Sequence, residues 1–109
     1  MLEAVFGSTS AERVLLFLVA RGEGYATEIA RTFDTNQSQI QKQLDRMERD
    51  GLLVNKVVGR TRVYSLNPRF AFKTELEALV SKAIELSPEK LRETLVLNRR
   101  RPRKRTKPL

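Results

Sequence analysis

Five carboxamide side chains lie close together near the middle of this 109-residue chain. They are Asn36, Gln37, Gln39, Gln41 and Gln43. A carboxamide can donate and accept hydrogen bonds at the same time, so a cluster of them can recognise a partner that presents both donors and acceptors. Glutamine has no particular advantage for solubility. The cluster therefore indicates recognition, in which case the elements around it must present it to a partner. A solvated helix face is the alternative, since glutamine is a common helix former at exposed positions.

A helix is predicted to carry these amides. Residues 34–36 offer three side chains able to cap a helix start, so the helix begins near Asn36 or Gln37. Ile40, Leu44 and Met47 recur at spacings of four and three, and Gly51 stands where a left-handed cap ends a helix. With only that stripe facing inward, the first two turns expose Gln37, Ser38, Gln39, Gln41, Lys42 and Gln43.

The flanking segments predict a helix before the amides and a hairpin after them. A short helix over about Ala26 to Phe33 has an apolar stripe and follows a glycine-rich turn. Residues 52–67 carry β-branched and aromatic side chains around a Gly59-Arg60 turn, which is typical of a β-hairpin. Tyr64 is assigned to the core, with base stacking as the alternative.

The first long helix is predicted from about Ser10 to Arg21, with Thr9 and Glu12 as a capping box and Gly22 beyond its end. Its residues 14–20 are apolar on every side. Such a helix must be covered on more than one face, and we expect the core and a partner subunit to cover it. A central core helix within a monomer is the alternative.

The C-terminal third predicts two helices and a basic tail. Pro68 opens the first, with Asn67 as its cap, and it continues to about Leu86. Ser87-Pro88 interrupts the chain before a last helix to about Leu97. A flexible tail follows and places seven positive charges within residues 99–107.

Composition limits the possible functions. The chain contains 40% hydrophobic and 31% charged residues, which indicates one folded domain with appendages. It has neither cysteine nor histidine, which excludes disulfides, thiolate or imidazole chemistry and an ordinary zinc site. We predict no enzyme activity, no cofactor and no metal. The sequence has no apolar run long enough for a membrane span and no secretory signal, so we expect a cytoplasmic protein.

The charge distribution indicates a polyanionic partner. The net charge is +8, but residues 1–98 hold 14 basic and 13 acidic side chains. Positive charge is concentrated in residues 37–69 and in the tail, as expected for phosphate binding. A short helix, a turn and an exposed amide-bearing helix fit the major groove of duplex DNA, where glutamine can pair with adenine. We expect Lys56, Arg60 and Arg62 of the hairpin to contact the backbone or minor groove, or to protect a sheet edge.

Four segments together resemble a winged helix-turn-helix regulator of the broad ArsR and MarR type. They are FGSTSAERVLLFL, YATEIARTF, NQSQIQKQLDRMERDGLLV and GRTRVYSLN. The resemblance covers roughly residues 5–68 and implies a mainly α fold with a small β-hairpin, the wing. It also implies a homodimer on a pseudo-palindromic operator, acting as a repressor, with C-terminal helices forming the dimer.

The predicted organisation has three parts: a DNA-binding domain over 5–68, dimerisation helices over 69–98 and a basic flexible tail over 99–109. In the tail, Arg99, Arg100 and Arg101 are expected to bind phosphates without sequence preference. Two other functions are compatible with the sequence. One is a winged-helix module that binds proteins, and the other is an RNA or single-strand binder that uses the tail.

Overall fold

The computed structural model describes residues 1–96. Its elements, in chain order, are α1 (Glu3–Phe6), α2 (Thr9–Arg21), α3 (Ala26–Phe33), α4 (Gln37–Arg49), β1 (Leu53–Val58), β2 (Thr61–Leu66) and α5 (Lys73–Leu86). A further helix, α6, covers residues 89–96. The fold class predicted from the sequence, mainly α with one small hairpin, is confirmed. The predicted tail contacts Arg99, Arg100 and Arg101 lie outside the described residues.

Helix α2 forms the centre of the molecule. Its side chains at 14–18 are all buried, and α1, α3, α4, α5 and β2 pack around it. Elements of the same chain bury residues 14–18, so these residues need no partner subunit to cover them, whereas Val19 and Ala20 are only partly buried. The C-terminal helices supply much of that cover, since Val80 and Ala83 of α5 and Leu95 of α6 belong to the same buried core.

Ser8, and not Thr9, caps the start of α2. Its hydroxyl accepts a hydrogen bond from Ala11 N at 3.1 Å, so the predicted Thr9–Glu12 capping box is wrong. The buried carboxylate of Glu12 instead accepts from Leu2 N at 2.8 Å. This bond fastens the short helix α1 to α2, and a four-residue helix leaves too little periodicity for the sequence to show it.

Helices α3 and α4 are joined by a tight turn whose first residue is Asp34. Asp34 adopts a left-handed conformation with φ of 52°, and Thr35 N donates to Ala30 O at 2.9 Å across it. Aspartate is one of the few residues other than glycine that tolerates this region. The predicted inward stripe of α4 is confirmed, because Ile40, Leu44 and Met47 are all buried.

Gly51 ends α4 as predicted. With φ of 85°, it allows Gly51 N to reach Glu48 O at 3.0 Å and Leu52 N to reach Met47 O at 2.8 Å. These two bonds satisfy carbonyls that the end of a helix leaves unpaired. The chain then enters β1 directly, so the cap also sets the angle between α4 and the hairpin.

The hairpin is antiparallel, with Leu53 opposite Leu66 at its base and Val58 opposite Thr61 beside the Gly59-Arg60 turn. Near its base the hairpin is attached to the turn before α3, because Gly24 and Tyr64 exchange two backbone hydrogen bonds of 3.0 and 2.8 Å. A two-stranded ribbon is only marginally stable by itself. The bridge to Gly24 and the buried side chains of Leu53, Tyr64 and Leu66 therefore hold it in place.

Helix α5 starts later than the sequence predicts. Residues 68–72 form turns, and the helix begins at Lys73. The predicted cap, Asn67, is used differently: its amide nitrogen donates to Gly51 O at 2.9 Å, and its oxygen accepts from Arg69 N at 3.0 Å. Asn67 thus links Gly51, which ends α4, to the segment that follows β2. The predicted break at Ser87-Pro88 is confirmed.

Arg21 connects α2 to the last described helix. Its guanidinium lies 4.4 Å from the centre of the Phe17 ring and donates to Thr94 O at 3.0 Å and Leu95 O at 3.1 Å. It also lies 3.8 Å from the carboxylate of Glu28 on α3. Within residues 1–96, no helix is long and apolar enough to cross a membrane.

We predict that Gly24→Ala destabilises the protein by about 1–3 kcal/mol, as expected for overpacking a filled core. An added Cβ would lie 2.3 Å from Cε1 of Phe17, a distance that neither the ring nor the bridged backbone can accept unchanged. Chemical denaturation measures the loss. Glu23→Ala, a change of the exposed neighbouring residue, is the control and should stay within about 0.5 kcal/mol of the wild type. Equal stability of the two variants would contradict the assigned packing.

Candidate nucleic-acid interface

Asn36 caps the exposed N-terminus of α4. Its side-chain oxygen accepts from Ser38 N at 2.8 Å and from Gln39 N at 3.3 Å, which satisfies two of the amide groups left unpaired at a helix start. The interpretation of Asn36 as a cap is thus confirmed. The hydroxyl of Ser38 donates to the same oxygen at 2.5 Å, so this side chain is held at the cap.

Three predicted contact residues are exposed and have no side-chain partner among the described residues. Gln37, Gln39 and Lys42 are exposed, and within residues 1–96 their side chains make no hydrogen bond or ion pair. Gln37 and Gln39 can therefore offer both an amide donor and a carbonyl acceptor to another molecule. Lys42 offers a positive charge one turn further along the helix.

Gln41 is held by two contacts within the chain. Its Nε2 donates to Asp45 Oδ1 at 2.8 Å and to the hydroxyl oxygen of Tyr64 at 3.1 Å. A carboxylate only accepts, so the amide atom that faces Asp45 must be the nitrogen. Both amide protons of Gln41 are therefore in use, unlike those of Gln39.

Gln43 is also engaged within α4. Its side-chain oxygen accepts from Nε of Arg46 at 3.1 Å and from a terminal guanidinium nitrogen at 2.8 Å. The sequence leaves Arg46 open to a phosphate contact or an acidic partner, and the structure gives it Gln43 instead. Arg49 approaches Asp50 at 3.9 Å on the exposed surface. The two hydrogen bonds to Arg46 reduce the freedom of the Gln43 side chain.

The hairpin brings two of its three predicted basic residues towards α4. Arg62 is paired with Val57 and Lys56 with Val63, so Arg62 and Lys56 project from opposite faces. Arg60 and Arg62 are exposed beside Gln37 and Gln41, whereas Lys56 forms an exposed ion pair with Glu23 at 3.4 Å. The structure therefore groups Arg60 and Arg62 with the amide helix and separates Lys56 from them.

A groove of about 550 Å³ runs between the start of α3, the first turns of α4 and the hairpin. We call it the reading groove. It is lined by Tyr25, Ala26, Thr27, Gln37, Gln41, Asp45, Arg60, Thr61, Arg62 and Tyr64. Its walls combine amides, hydroxyls and two arginines with a single carboxylate. This mixture suits a partner that carries both negative charge and hydrogen-bonding edges.

Tyr64 contacts Gln41 in the groove, a role that was not predicted from the sequence. Its ring belongs to the core, as predicted, and only 1% of the residue is exposed. Burial raises the pKa of the Tyr64 hydroxyl above its ordinary value, so this group stays protonated at neutral pH. The signal in the sequence was its identity, because a buried tyrosine needs a hydrogen-bond partner that phenylalanine would not.

Besides Tyr64, the groove residues that were not predicted as contacts are Tyr25, Ala26, Thr27, Asp45 and Thr61. Tyr25 and Thr27 lie at the start of α3 and enter the groove only because of the angle between α3 and α4. Of the other aromatic residues, Phe72 is largely exposed. The ring of Phe70 packs edge-on against the ring of Phe72, with the two ring centres 6.0 Å apart. Both lie beyond the hairpin and outside the reading groove.

The order and packing of these elements define a winged helix-turn-helix fold, with α3 and α4 as the helix-turn-helix and β1–β2 as the wing. The solved structure of the YusO protein from Bacillus subtilis is similar to this chain, with a TM-score of 0.56 and 23% sequence identity. The match covers 76% of this chain and 64% of YusO, so the chain spans less than two thirds of that protein. At this identity the similarity shows a shared fold.

A structure of ZitR from Lactococcus lactis, a C30AH42A mutant in apo form, matches with a TM-score of 0.49 and 19% identity. That match covers 80% of this chain and 74% of ZitR. No protein-family model matches the chain, and no curated protein matches it significantly.

We predict that Asn36→Ala lowers stability by about 1 kcal/mol, because two backbone amides lose their acceptor. Thermal unfolding measures the effect, and Asn36→Asp serves as the control because aspartate keeps the capping oxygen. An alanine variant as stable as the aspartate variant would show that the cap contributes nothing.

Proposed function

We propose that this protein binds duplex DNA in a sequence-specific manner and regulates transcription. The observation that carries the proposal is the position of Gln37 and Gln39. Their side chains have no partner within residues 1–96 and are exposed in the first turn of α4, and Gln37 lines the groove that Arg60 and Arg62 also line. Amides read base edges and guanidinium groups bind phosphates, so one surface offers both requirements of specific recognition.

The geometry suits a duplex with α4 in the major groove. That groove is about 12 Å wide and admits one helix with its side chains. The N-terminal turns of the second helix usually approach the bases in this motif, and these are the turns that hold Gln37, Gln39 and Lys42. Arg60 and Arg62 then reach the sugar-phosphate backbone beside α4. Arg99, Arg100 and Arg101 in the tail add phosphate binding that does not depend on sequence.

A homodimer is part of the proposal, and α5 supplies its surface. Phe72, Leu79 and Leu86 follow one another at intervals of seven residues and are 65%, 40% and 62% exposed. Leu79 and Leu86 lie on one side of α5, and Phe72, the residue just before its first turn, continues the row. We call this row the α5 stripe. Since the chain itself buries residues 14–18 of α2, we place the dimer surface on the α5 stripe rather than on α2.

The α5 stripe is self-complementary in charge. Glu75 lies four residues before Leu79, and Lys82 lies three residues after it, on the same side of the helix. If two copies of α5 pair antiparallel about Leu79, Glu75 of each copy faces Lys82 of the other, and Phe72 faces Leu86. A two-fold dimer of this kind presents two copies of α4 to two half-sites, as a pseudo-palindromic operator requires.

Repression is the proposed mode of regulation. A bound dimer of this size occludes a promoter, and residues 1–96 contain no separate activation domain. This preference rests on the resemblance to ArsR- and MarR-type regulators. The cytoplasmic location and the absence of enzymatic activity stay predictions from the sequence.

One observation favours a protein partner as the second candidate. Val57 and Val58 are exposed near the tip of the wing, where an apolar surface suits another protein better than a phosphate backbone. Salt dependence separates the two functions. Affinity for duplex DNA falls steeply with added salt because phosphates regain their counterions, whereas an apolar protein contact changes little. An RNA or single-strand binder would prefer loops to duplex.

We predict that Gln39→Ala and Arg60→Ala weaken DNA binding in different ways. Gln39→Ala should lower specific affinity by about 1–3 kcal/mol and relax the preference at one base position. Arg60→Ala, like removal of residues 99–109, should lower the affinity for all duplexes alike and make that affinity less dependent on salt concentration.

Fluorescence anisotropy with an operator selected from a random duplex pool, repeated at several salt concentrations, measures both effects. Thr74→Ala, on the exposed surface of α5 away from the reading groove, is the control. If Arg60→Ala or tail removal abolished base discrimination while Gln39→Ala changed nothing, the assigned roles would be wrong.

We predict that Leu79→Glu converts the dimer to a monomer, because two carboxylates would meet at its centre. Sedimentation equilibrium gives the mass. Thr74→Glu is the control, since it adds the same charge on the opposite side of α5. Glu75→Lys should weaken the dimer and the added change Lys82→Glu should restore it. Failure of the second change to restore the mass would refute the antiparallel register.

A further inference from the structure

Gln41, Asp45 and Tyr64 form a connected group on one side of the reading groove. The two amide protons of Gln41 are donated to Asp45 Oδ1 at 2.8 Å and to Tyr64 Oη at 3.1 Å. The remaining polar atoms that a partner can reach are the carbonyl oxygen of Gln41 and the second carboxylate oxygen of Asp45. The Tyr64 hydroxyl is not among them, because the residue is 1% exposed.

The accessible atoms of this group are therefore all acceptors. Glutamine recognises adenine through one acceptor and one donor, which pair with N6 and N7. Gln41 lacks a free donor for N7 as long as Asp45 and Tyr64 hold its amide nitrogen. In this respect it differs from Gln39, whose side chain has no partner within residues 1–96.

Cytosine is the base that suits a site offering only acceptors, because one N4 proton is free in the major groove and no acceptor lies beside it on the same base. In the major groove it presents only its N4 amino group, which donates. Adenine places an acceptor beside its amino group, and guanine and thymine present acceptors alone at these edges. A carbonyl and a carboxylate oxygen would therefore attract cytosine, tolerate adenine partly and repel guanine and thymine.

The charge of Asp45 is consistent with a base contact. Asp45 is exposed and has no ion pair within residues 1–96, although Lys42, Arg60 and Arg62 make the surrounding surface basic. Beside a phosphate, a carboxylate weakens binding through repulsion between like charges. Opposite a cytosine amino group, a carboxylate accepts a stronger hydrogen bond than a neutral oxygen does.

We propose that Gln41 and Asp45 form a cytosine-selecting element, and that Tyr64 is a positioning residue that keeps the Gln41 amide turned so that only its oxygen faces the DNA. This assignment rests on the proposed function. It gives the buried tyrosine hydroxyl a part in base selection, although Tyr64 itself does not touch the bases.

The test measures base preference position by position. The full chain is first used to select an operator from a random duplex pool, and affinities are then measured for duplexes carrying each of the four bases at every position. At one position of each half-site, the wild type should favour cytosine over thymine by about tenfold or more.

Two substitutions identify the element. Tyr64→Phe releases one amide proton of Gln41, so adenine should gain on cytosine at that position by roughly fivefold. Asp45→Asn removes the carboxylate and should reduce the cytosine preference by a similar factor. Asp45 is exposed, so this variant folds even where Tyr64→Phe does not, and thermal melting monitors both. Gln39→Ala, the matched control on the same helix, should alter a different position.

The outcomes separate this assignment from the proposed function. If the wild type shows no sequence-specific duplex binding, the proposed function is overturned and the element with it. If the wild type binds specifically, but has no cytosine-preferring position or keeps an unchanged profile in folded Asp45→Asn, the cytosine assignment alone is overturned.

Discussion

The position of Tyr64 is the constraint on which the rest of the structure depends. Its backbone exchanges two hydrogen bonds with Gly24, its ring lies in the core, and its hydroxyl accepts from Gln41. A two-stranded ribbon has little stability by itself, so these contacts decide where the wing lies relative to α4. The reading groove exists because one residue is tied to the turn before α3, to the core and to the amide-bearing helix at the same time.

The elements around the groove could be predicted because their signals are local. Asn36 caps α4, Gly51 supplies the left-handed residue after it, and Gly59-Arg60 closes the hairpin. Each of these needs only neighbouring residues to act. The start of α5 could not be predicted in this way, since Asn67 bonds to Gly51 O, 16 residues away, and residues 68–72 are held in turns. Likewise, the chain covers α2 itself through distant residues such as Val80 and Leu95.

In the candidate site too, features set by neighbouring residues could be predicted and contacts between distant residues could not. The period of the inward stripe in α4 shows which side chains are exposed, and it correctly places Gln37, Gln39 and Lys42 on the surface. It does not show which of the amides are already bonded. Gln41 is engaged by a residue from β2 and Gln43 by the particular rotamer of Arg46, and neither contact follows from spacing alone. Residues of the same type and period thus differ in the chemistry left available to a partner.

Arg21 joins three helices of the molecule through a single side chain. Its guanidinium holds carbonyls of α6, stacks on Phe17 of α2 and lies near Glu28 of α3. A shift of α6 must therefore either break these bonds or carry α3 with it. The side chain consequently acts as a mechanical linkage, through which a displacement of α6 would reach the first helix of the helix-turn-helix.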